Sequence, residues 1–167
     1  MKRKNIIQKG MSLLEVLIVV TIFAVLGVLV TQSIILTLIG SQKSEAIIRA
    51  RENLDYSLSI IERQIRNANS ITECPNSDTK IINYTDHNGT SSSFSCVNTG
   101  GTNSYIASGS ASLTSNTVKV EDCTFSCTQS SFGPPLISIN LTVKDASASG
   151  IRSASVTAET EIYLRNY

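Results

Sequence analysis

The sequence contains no tryptophan and a single histidine, and these shortages exclude several classes of function. A histidine-rich metal site cannot be built, and a histidine-dependent hydrolase would have to use His87. Residues 70–167 carry five basic and eight acidic side chains, whereas nucleic-acid binders usually present basic and aromatic surfaces. The same residues offer no set of nucleophile, base and orienting group. We therefore expect neither an enzyme nor a dedicated nucleic-acid binder.

Charge is also absent from one long stretch, because no Asp, Glu, Lys or Arg occurs from Val16 to Gln42. A bilayer core about 30 Å thick needs about 20 apolar residues, whereas the apolar part of a cleaved secretory signal has about 7 to 15. The run is thus long enough to span a membrane. Basic residues precede it at Lys2, Arg3, Lys4 and Lys9. This asymmetry predicts a cytoplasmic N-terminus, with everything after Gly40 on the other side.

Glu15 lies at the leading edge of this apolar run. A carboxylate at the centre of a membrane helix costs about 2.5 to 3.5 kcal/mol, and less near an interface. In an anonymous membrane anchor, a solvated carboxylate at headgroup level would be the simplest interpretation. The alternative is a charge that acquires a partner, since an opposite charge offsets part of the cost of burying it.

The residues around Glu15 form an ordered motif, Lys9-Gly10-Met11-Ser12-Leu13-Leu14-Glu15, between the basic leader and the apolar run. This motif resembles the type IV prepilin signature shared by pilins, type II secretion pseudopilins and competence pseudopilins. The resemblance implies cleavage after Gly10 by a prepilin peptidase and methylation of the new N-terminal residue, Met11. During assembly Glu15 could then pair with the N-terminus of a neighbouring subunit. Other implied partners are pilin or pseudopilin subunits and the inner-membrane assembly platform, and no cofactor is implied.

Beyond the apolar run the sequence continues as an amphipathic helix. Its apolar residues recur every three or four positions, at Ile47, Ala50, Leu54, Leu58, Ile61, Ile65 and Ala68. No proline occurs between Ser12 and Asn69, so one continuous helix is possible. We expect Arg49, Arg51, Arg63 and Arg66 on its solvated face, with intrahelical pairs such as Glu62 to Arg66.

Composition changes at about Ser70, after which 32 of 98 residues are Ser or Thr. Alternating apolar residues predict strands at Leu136–Lys144 and Val156–Leu164. Weaker patterns indicate strands at 80–85, 92–97, 105–107 and 117–125. The predicted fold class is α+β, a long N-terminal helix packed against a small antiparallel sheet. The predicted organisation is a leader at 1–10, a membrane or filament-core helix at 11–40, its amphipathic continuation at 41–69 and a β-rich head at 70–167.

The head holds all four cysteines, and an even number in an oxidising compartment favours disulfides over zinc. Three pairings are possible. We favour Cys74 with Cys96 and Cys123 with Cys127, the alternative being a cross-strand bond from Cys96 to one of the later two. In a regular strand the Cα atoms of Cys123 and Cys127 would lie about 13 Å apart, so bonding them requires a turn or bulge there.

Two short motifs in the head receive no functional role. Asp86-His87-Asn88-Gly89 resembles the start of a calcium loop, but Asn-Gly between two strand patterns predicts a hairpin turn. Three glycosylation sequons begin at Asn83, Asn88 and Asn140, and a chain processed like a bacterial prepilin gives them no expected use.

Three functions of different classes remain. The leading one is a minor type IV pilin or pseudopilin that leaves the bacterial inner membrane for a pilus or pseudopilus. Its head weakly resembles minor subunits of the PilW and GspJ type, in the residues around Leu113 and in Pro134-Pro135 before the Leu136 strand. The alternative is a competence or adhesion pilin whose head binds DNA or a surface. The third, a membrane-anchored enzyme, lacks a candidate active site.

Overall fold

The computed structural model describes residues 12–74, 77–129 and 133–165, which form one long helix followed by eight strands. The helix, α1, is Leu13–Arg66, and a short 3-10 helix lies at Gly150–Arg152. The strands are β1 (Ser70–Ile71), β2 (Ile81–Thr85), β3 (Ser91–Val97), β4 (Tyr105–Ser108), β5 (Ala111–Ser112), β6 (Val118–Thr128), β7 (Leu136–Asp145) and β8 (Ser155–Tyr163). The chain divides into two compact units, with the boundary between Gly40 and Ser41.

In the first unit, α1 exposes its apolar side chains along its described length. The helix is long and apolar enough to cross a membrane by length and composition. Its threonine hydroxyls donate to helix carbonyls three or four residues back, as in Thr21 to Ile18, Thr31 to Gly27 and Thr37 to Ser33, at 2.8 to 2.9 Å. These polar groups therefore need no water, which suits an apolar environment.

In the second unit, the predicted stripe of α1 is the buried face. The fully buried helix residues share the spacing of three or four and are Ala46, Ala50, Leu54, Ser57, Leu58, Ile61 and Ile65. Ile47 is only partly buried, so the buried stripe begins one residue earlier than the sequence pattern indicated. Ser57 tolerates burial because its hydroxyl donates to the carbonyl of Asn53 at 2.7 Å.

The strands form two antiparallel sheets, whereas a single sheet was predicted. The first sheet has the order β1-β2-β3-β4-β5, and the second has the order β6-β7-β8. The first sheet ends in β5, which is only two residues long, and β6 pairs with β7 instead. All six predicted strands occur, with ends shifted by up to three residues, and the two-residue strands β1 and β5 were not predicted.

One hydrophobic core joins α1 to both sheets. Phe94 of the first sheet and Phe125 of the second are completely buried, together with Leu54 and Ile61 of the helix. Tyr84 stacks on Phe94 with ring centroids 5.3 Å apart. The fold class predicted from the sequence, a long helix packed against antiparallel β-structure, is therefore confirmed.

A bulge in β6 decides which of its residues face this core. The β6–β7 register shifts between Val120 and Asp122, so the buried positions change from even to odd numbers. Before the bulge Val118 and Val120 are buried, and after it Cys123, Phe125 and Cys127 are buried. The extra residue thus directs both cysteines of β6 into the core.

Candidate functional site: the N-terminal motif and the bonds of the head

The N-terminal motif continues directly into the first turn of α1. Gly10 and Met11, the predicted cleavage and methylation positions, lie outside the described residues. The carbonyl of Ser12 accepts hydrogen bonds from the N–H groups of Glu15 at 3.0 Å and Val16 at 3.2 Å. Glu15, the last residue of the motif, is therefore placed in the first helical turn.

The Glu15 side chain is exposed, and within the described residues it has no ion pair or hydrogen bond. Its position in the first turn is favourable, since a carboxylate near a helix N-terminus gains about 0.3 to 1 kcal/mol from the helix dipole. Ser12 and Glu15 also have the spacing of a capping box, a local signal that the sequence prediction did not use. The carboxylate is thus held near the chain start and remains accessible to a partner.

Large apolar side chains flank Glu15 and continue along the first unit. Leu13 is 83% exposed, and Leu17, Phe23 and Leu36 are each more than half exposed. A contiguous apolar surface of this size marks contact with lipid or with other apolar helices. The unit therefore combines an apolar surface with one accessible carboxylate at its start.

In the second unit, Arg49 does not lie on a purely solvated face as predicted. Its Nε donates to Asp145 Oδ2 at 2.7 Å, a contact between α1 and the end of β7. The Asp145 side chain is 1% exposed, whereas that of Arg49 is 42% exposed. Glu62 likewise accepts a hydrogen bond from Thr160 at 2.9 Å instead of forming the predicted pair with Arg66.

The surroundings of Asp145 keep its carboxyl ionised. Burial acts to raise its pKa, but hydrogen bonds outweigh this effect and lower the pKa from 3.8 to about 2. The donors are the hydroxyl of Ser147, the guanidinium of Arg49 and the backbone N–H groups of Ser147 and Ala148. The same contact raises the pKa of Arg49. This ionised pair fixes the helix against the second sheet.

Two disulfides connect the parts of the head, and their pairing corrects the one we favoured. Cys74 is bonded to Cys127 and Cys96 to Cys123, with Cα separations of 5.0 and 6.0 Å. Because Cys123 and Cys127 lie in one extended strand, they cannot bond to each other, and each reaches across to another segment. The alternative pairing of Cys96 with a later cysteine is the observed one. Both bonds therefore join β6 to segments that precede it.

The Asp86–Gly89 segment forms the predicted hairpin turn between β2 and β3. Asp86 Oδ1 accepts the N–H groups of Asn88 at 2.9 Å and Thr90 at 2.8 Å, and Gly89 has a φ of 81°. The carboxylate thus organises the turn. Over the part of the chain that the structure describes, no group of three or more His, Cys, Asp or Glu residues has a metal-binding arrangement.

Comparison with known proteins identifies the N-terminal region. Residues 7–31 match the family described as the prokaryotic N-terminal methylation motif. No curated protein and no solved structure matches the chain. The motif implies interaction with other pilins and with a prepilin peptidase, and proteins that carry it are generally structural. With its apolar helix, the motif fits a pilin anchored in the inner membrane. The chain thus carries the type IV prepilin-like signature, which confirms the sequence prediction.

Proposed function

We propose that the chain is a minor subunit of a type IV pilus or secretion pseudopilus, processed after Gly10 and assembled through its N-terminal helix. The observation that carries this proposal is Glu15 itself, which lies within the methylation motif in the first turn of an apolar helix, is exposed, and has no ion pair or hydrogen bond within the described residues. A filament of this type buries such helices against one another. The minor class rests on the weak resemblance of the head to known minor subunits.

Processing would change the charge of the subunit as well as its length. Removal of residues 1–10 takes away four basic side chains and leaves ten basic and thirteen acidic ones, a net charge of −3. It also creates a new amine at Met11, four residues before Glu15. The basic leader would hold the precursor in the membrane until it is removed. Cleavage would thus have to precede assembly.

The proposed role of Glu15 is to pair with the Met11 amine of a neighbouring subunit. An unpaired carboxylate buried among apolar helices costs several kcal/mol, and an opposite charge at hydrogen-bond distance offsets part of that cost. Such a pair fixes the register of two helices because only one stagger brings the charges together. Ser12 and Leu13 precede Glu15 in the same exposed turn, so a neighbouring amine has access to it.

Replacing Glu15 by Gln tests this role. Gln fulfils the capping-box position as well as Glu does, so the substitution removes the charge and keeps the helix start. We expect normal cleavage and membrane insertion, with monomer accumulating in the inner membrane and little entering filaments. Quantification of the variant in sheared filament and membrane fractions measures this effect.

Glu45→Gln is the matched control, since Glu45 lies on the same helix and is exposed but falls outside the apolar run. This variant should enter filaments at the wild-type level. Entry of Glu15→Gln at that same level would show that the carboxylate has no assembly role.

A further inference from the structure

Strand β8 forms a long open edge of the second sheet. The first sheet ends on β1 and β5, each two residues long. At the other edge of the second sheet, β6 is covered by the Thr79–Phe125 bridge and by the hydrogen bond from Gly100 N–H to the Val120 carbonyl. Among the described residues no strand pairs with the outer side of β8, which has nine residues and neither proline nor glycine. Such an edge is a template for an added strand.

The direction of the free backbone groups on β8 follows from the ladder. Ala146 donates its N–H to the carbonyl of Thr117 at 2.8 Å, which extends the β6–β7 pairing by one residue. The backbone N–H and C=O groups of the even-numbered residues of β7 therefore point toward β6. The backbone groups of the odd-numbered residues of β7 then point toward β8, where Ile139 pairs with Thr160 and Val143 with Val156. The 2.9 Å contact between the Thr142 and Thr157 hydroxyls fits a non-hydrogen-bonded pair, whose side chains lie closer.

The odd-numbered residues of β8 therefore direct their N–H and C=O groups away from the sheet. They are Ser155, Thr157, Glu159, Glu161 and Tyr163, and all five are exposed. The even-numbered residues face the helix side, where Ile162 is buried. An added strand would consequently form its backbone hydrogen bonds with these odd-numbered residues, which include Glu159 and Glu161.

Glu159 and Glu161 give this edge two exposed carboxylates. Their partners on β7 are Asn140 and Ser138, and neither glutamate has an ion pair within the described ranges. Glu62, which accepts the hydrogen bond from Thr160, places a third carboxylate on the other, helix-facing side of the strand. An incoming strand with basic side chains opposite these positions would gain cross-strand attraction.

Pairing of β8 with a second copy of itself is unfavourable in two of its longest antiparallel registers. In the antiparallel β8–β8 register with the greatest overlap, Glu159 stands opposite its own copy. Sliding the strands one step toward their C-terminal ends places Glu159 opposite Glu161. Like charges directly opposite each other are destabilising, so these registers are disfavoured. We propose that β8 receives, by β-strand addition, an extended strand of a different polypeptide with Lys or Arg at alternate positions.

A nine-residue peptide of alternating valine and lysine is the probe for this edge. The full-length protein is prepared in nonionic detergent, and peptide binding is measured by fluorescence anisotropy together with residue-resolved hydrogen exchange. We expect the bound peptide to slow exchange at the amides of Thr157, Glu159 and Glu161. The amides of Ala158 and Thr160 should already be slow without peptide, because they donate to β7. A peptide in which glutamate replaces lysine should bind at least tenfold more weakly.

Variants separate strand addition from general electrostatic attraction. Glu159→Lys combined with Glu161→Lys should weaken lysine-peptide binding at least tenfold. Glu73→Lys combined with Asp78→Lys makes the same charge change at exposed positions elsewhere in the head and should leave binding within twofold of wild type. Glu159→Pro removes an outward N–H while sparing the β7 ladder, so it should block binding with β7 amides still protected.

Several results would overturn the proposal. These are no binding of the lysine peptide, binding that protects no odd-numbered amide, and equal binding of the glutamate peptide. Undiminished binding by Glu159→Pro would also contradict it. Protection of the same amides in the protein alone, rising with its concentration, would instead identify a second copy as the occupant.

Discussion

The buried carboxylate of Asp145 allows the packing of α1 on the second sheet to be tested quantitatively. Its pKa of about 2, against an ordinary 3.8, corresponds to about 2 kcal/mol of stability at neutral pH. Because solvent reaches the partner guanidinium of Arg49, we discount this to about 1 to 2 kcal/mol. Asp145→Asn keeps the shape and removes the charge. We expect it to lower the free energy of unfolding by that amount at pH 7.

The direction of the pKa shift fixes how the stability difference depends on pH. A carboxyl whose pKa is lower in the folded protein contributes stability above the unfolded pKa, and this contribution is lost as the pH falls through the folded value. The difference between wild type and Asp145→Asn should therefore be constant above about pH 5 and should shrink between about pH 4 and pH 2. Guanidinium unfolding in nonionic detergent, followed by near-ultraviolet circular dichroism, measures it at each pH.

Asp122→Asn is the control, because Asp122 pairs with Lys80 at 3.3 Å but its side chain is 57% exposed. An exposed pair of this kind contributes about 0.2 to 1 kcal/mol, so Asp122→Asn should lower the free energy of unfolding by an amount near the lower end of this range. An Asp145→Asn variant as stable as Asp122→Asn at pH 7, or a difference that does not shrink on acidification, would show that the buried carboxylate does not stabilise the fold in this way.

Two further predictions concern the core and its covalent bonds. Peptide mapping without reduction should recover Cys74 linked to Cys127 and Cys96 linked to Cys123, and alkylation of denatured, unreduced protein should label none of the four. A linked Cys123–Cys127 peptide, or labelling of two or more thiols, would contradict this pairing. Phe125→Ala should lower the free energy of unfolding by about 3 to 5 kcal/mol in denaturant titrations, since its ring is completely buried. A loss below about 1 kcal/mol would show that Phe125 lies outside the core.

Elements with a regular pattern could be predicted from the sequence alone. The buried stripe of α1 follows the three-and-four spacing that places Leu54, Leu58 and Ile61 on one face. The strand at Leu136–Asp145 follows strict alternation. Both patterns are local consequences of backbone geometry, so they do not depend on which segments meet in the fold.

The remaining features depend on contacts between distant segments. The register shift between Val120 and Asp122 directs Cys123 into the core, and no residue type there signals a bulge. Without that shift the disulfide pairing could not be deduced. The contact between Arg49 and Asp145 joins residues 96 positions apart, and neither one has a distinctive local sequence. The motif around Glu15 was informative because its spacing is local, whereas the first-turn position of Glu15 required the helix start to be known.

Intact-mass measurement of the protein in sheared surface filaments tests whether the chain is a processed filament subunit. We expect a species that lacks residues 1–10, begins at Met11 and carries one added methyl group. A filament species that retains the leader through Gly10, or absence of the protein from filaments of cells that contain it in the membrane, would contradict the claim.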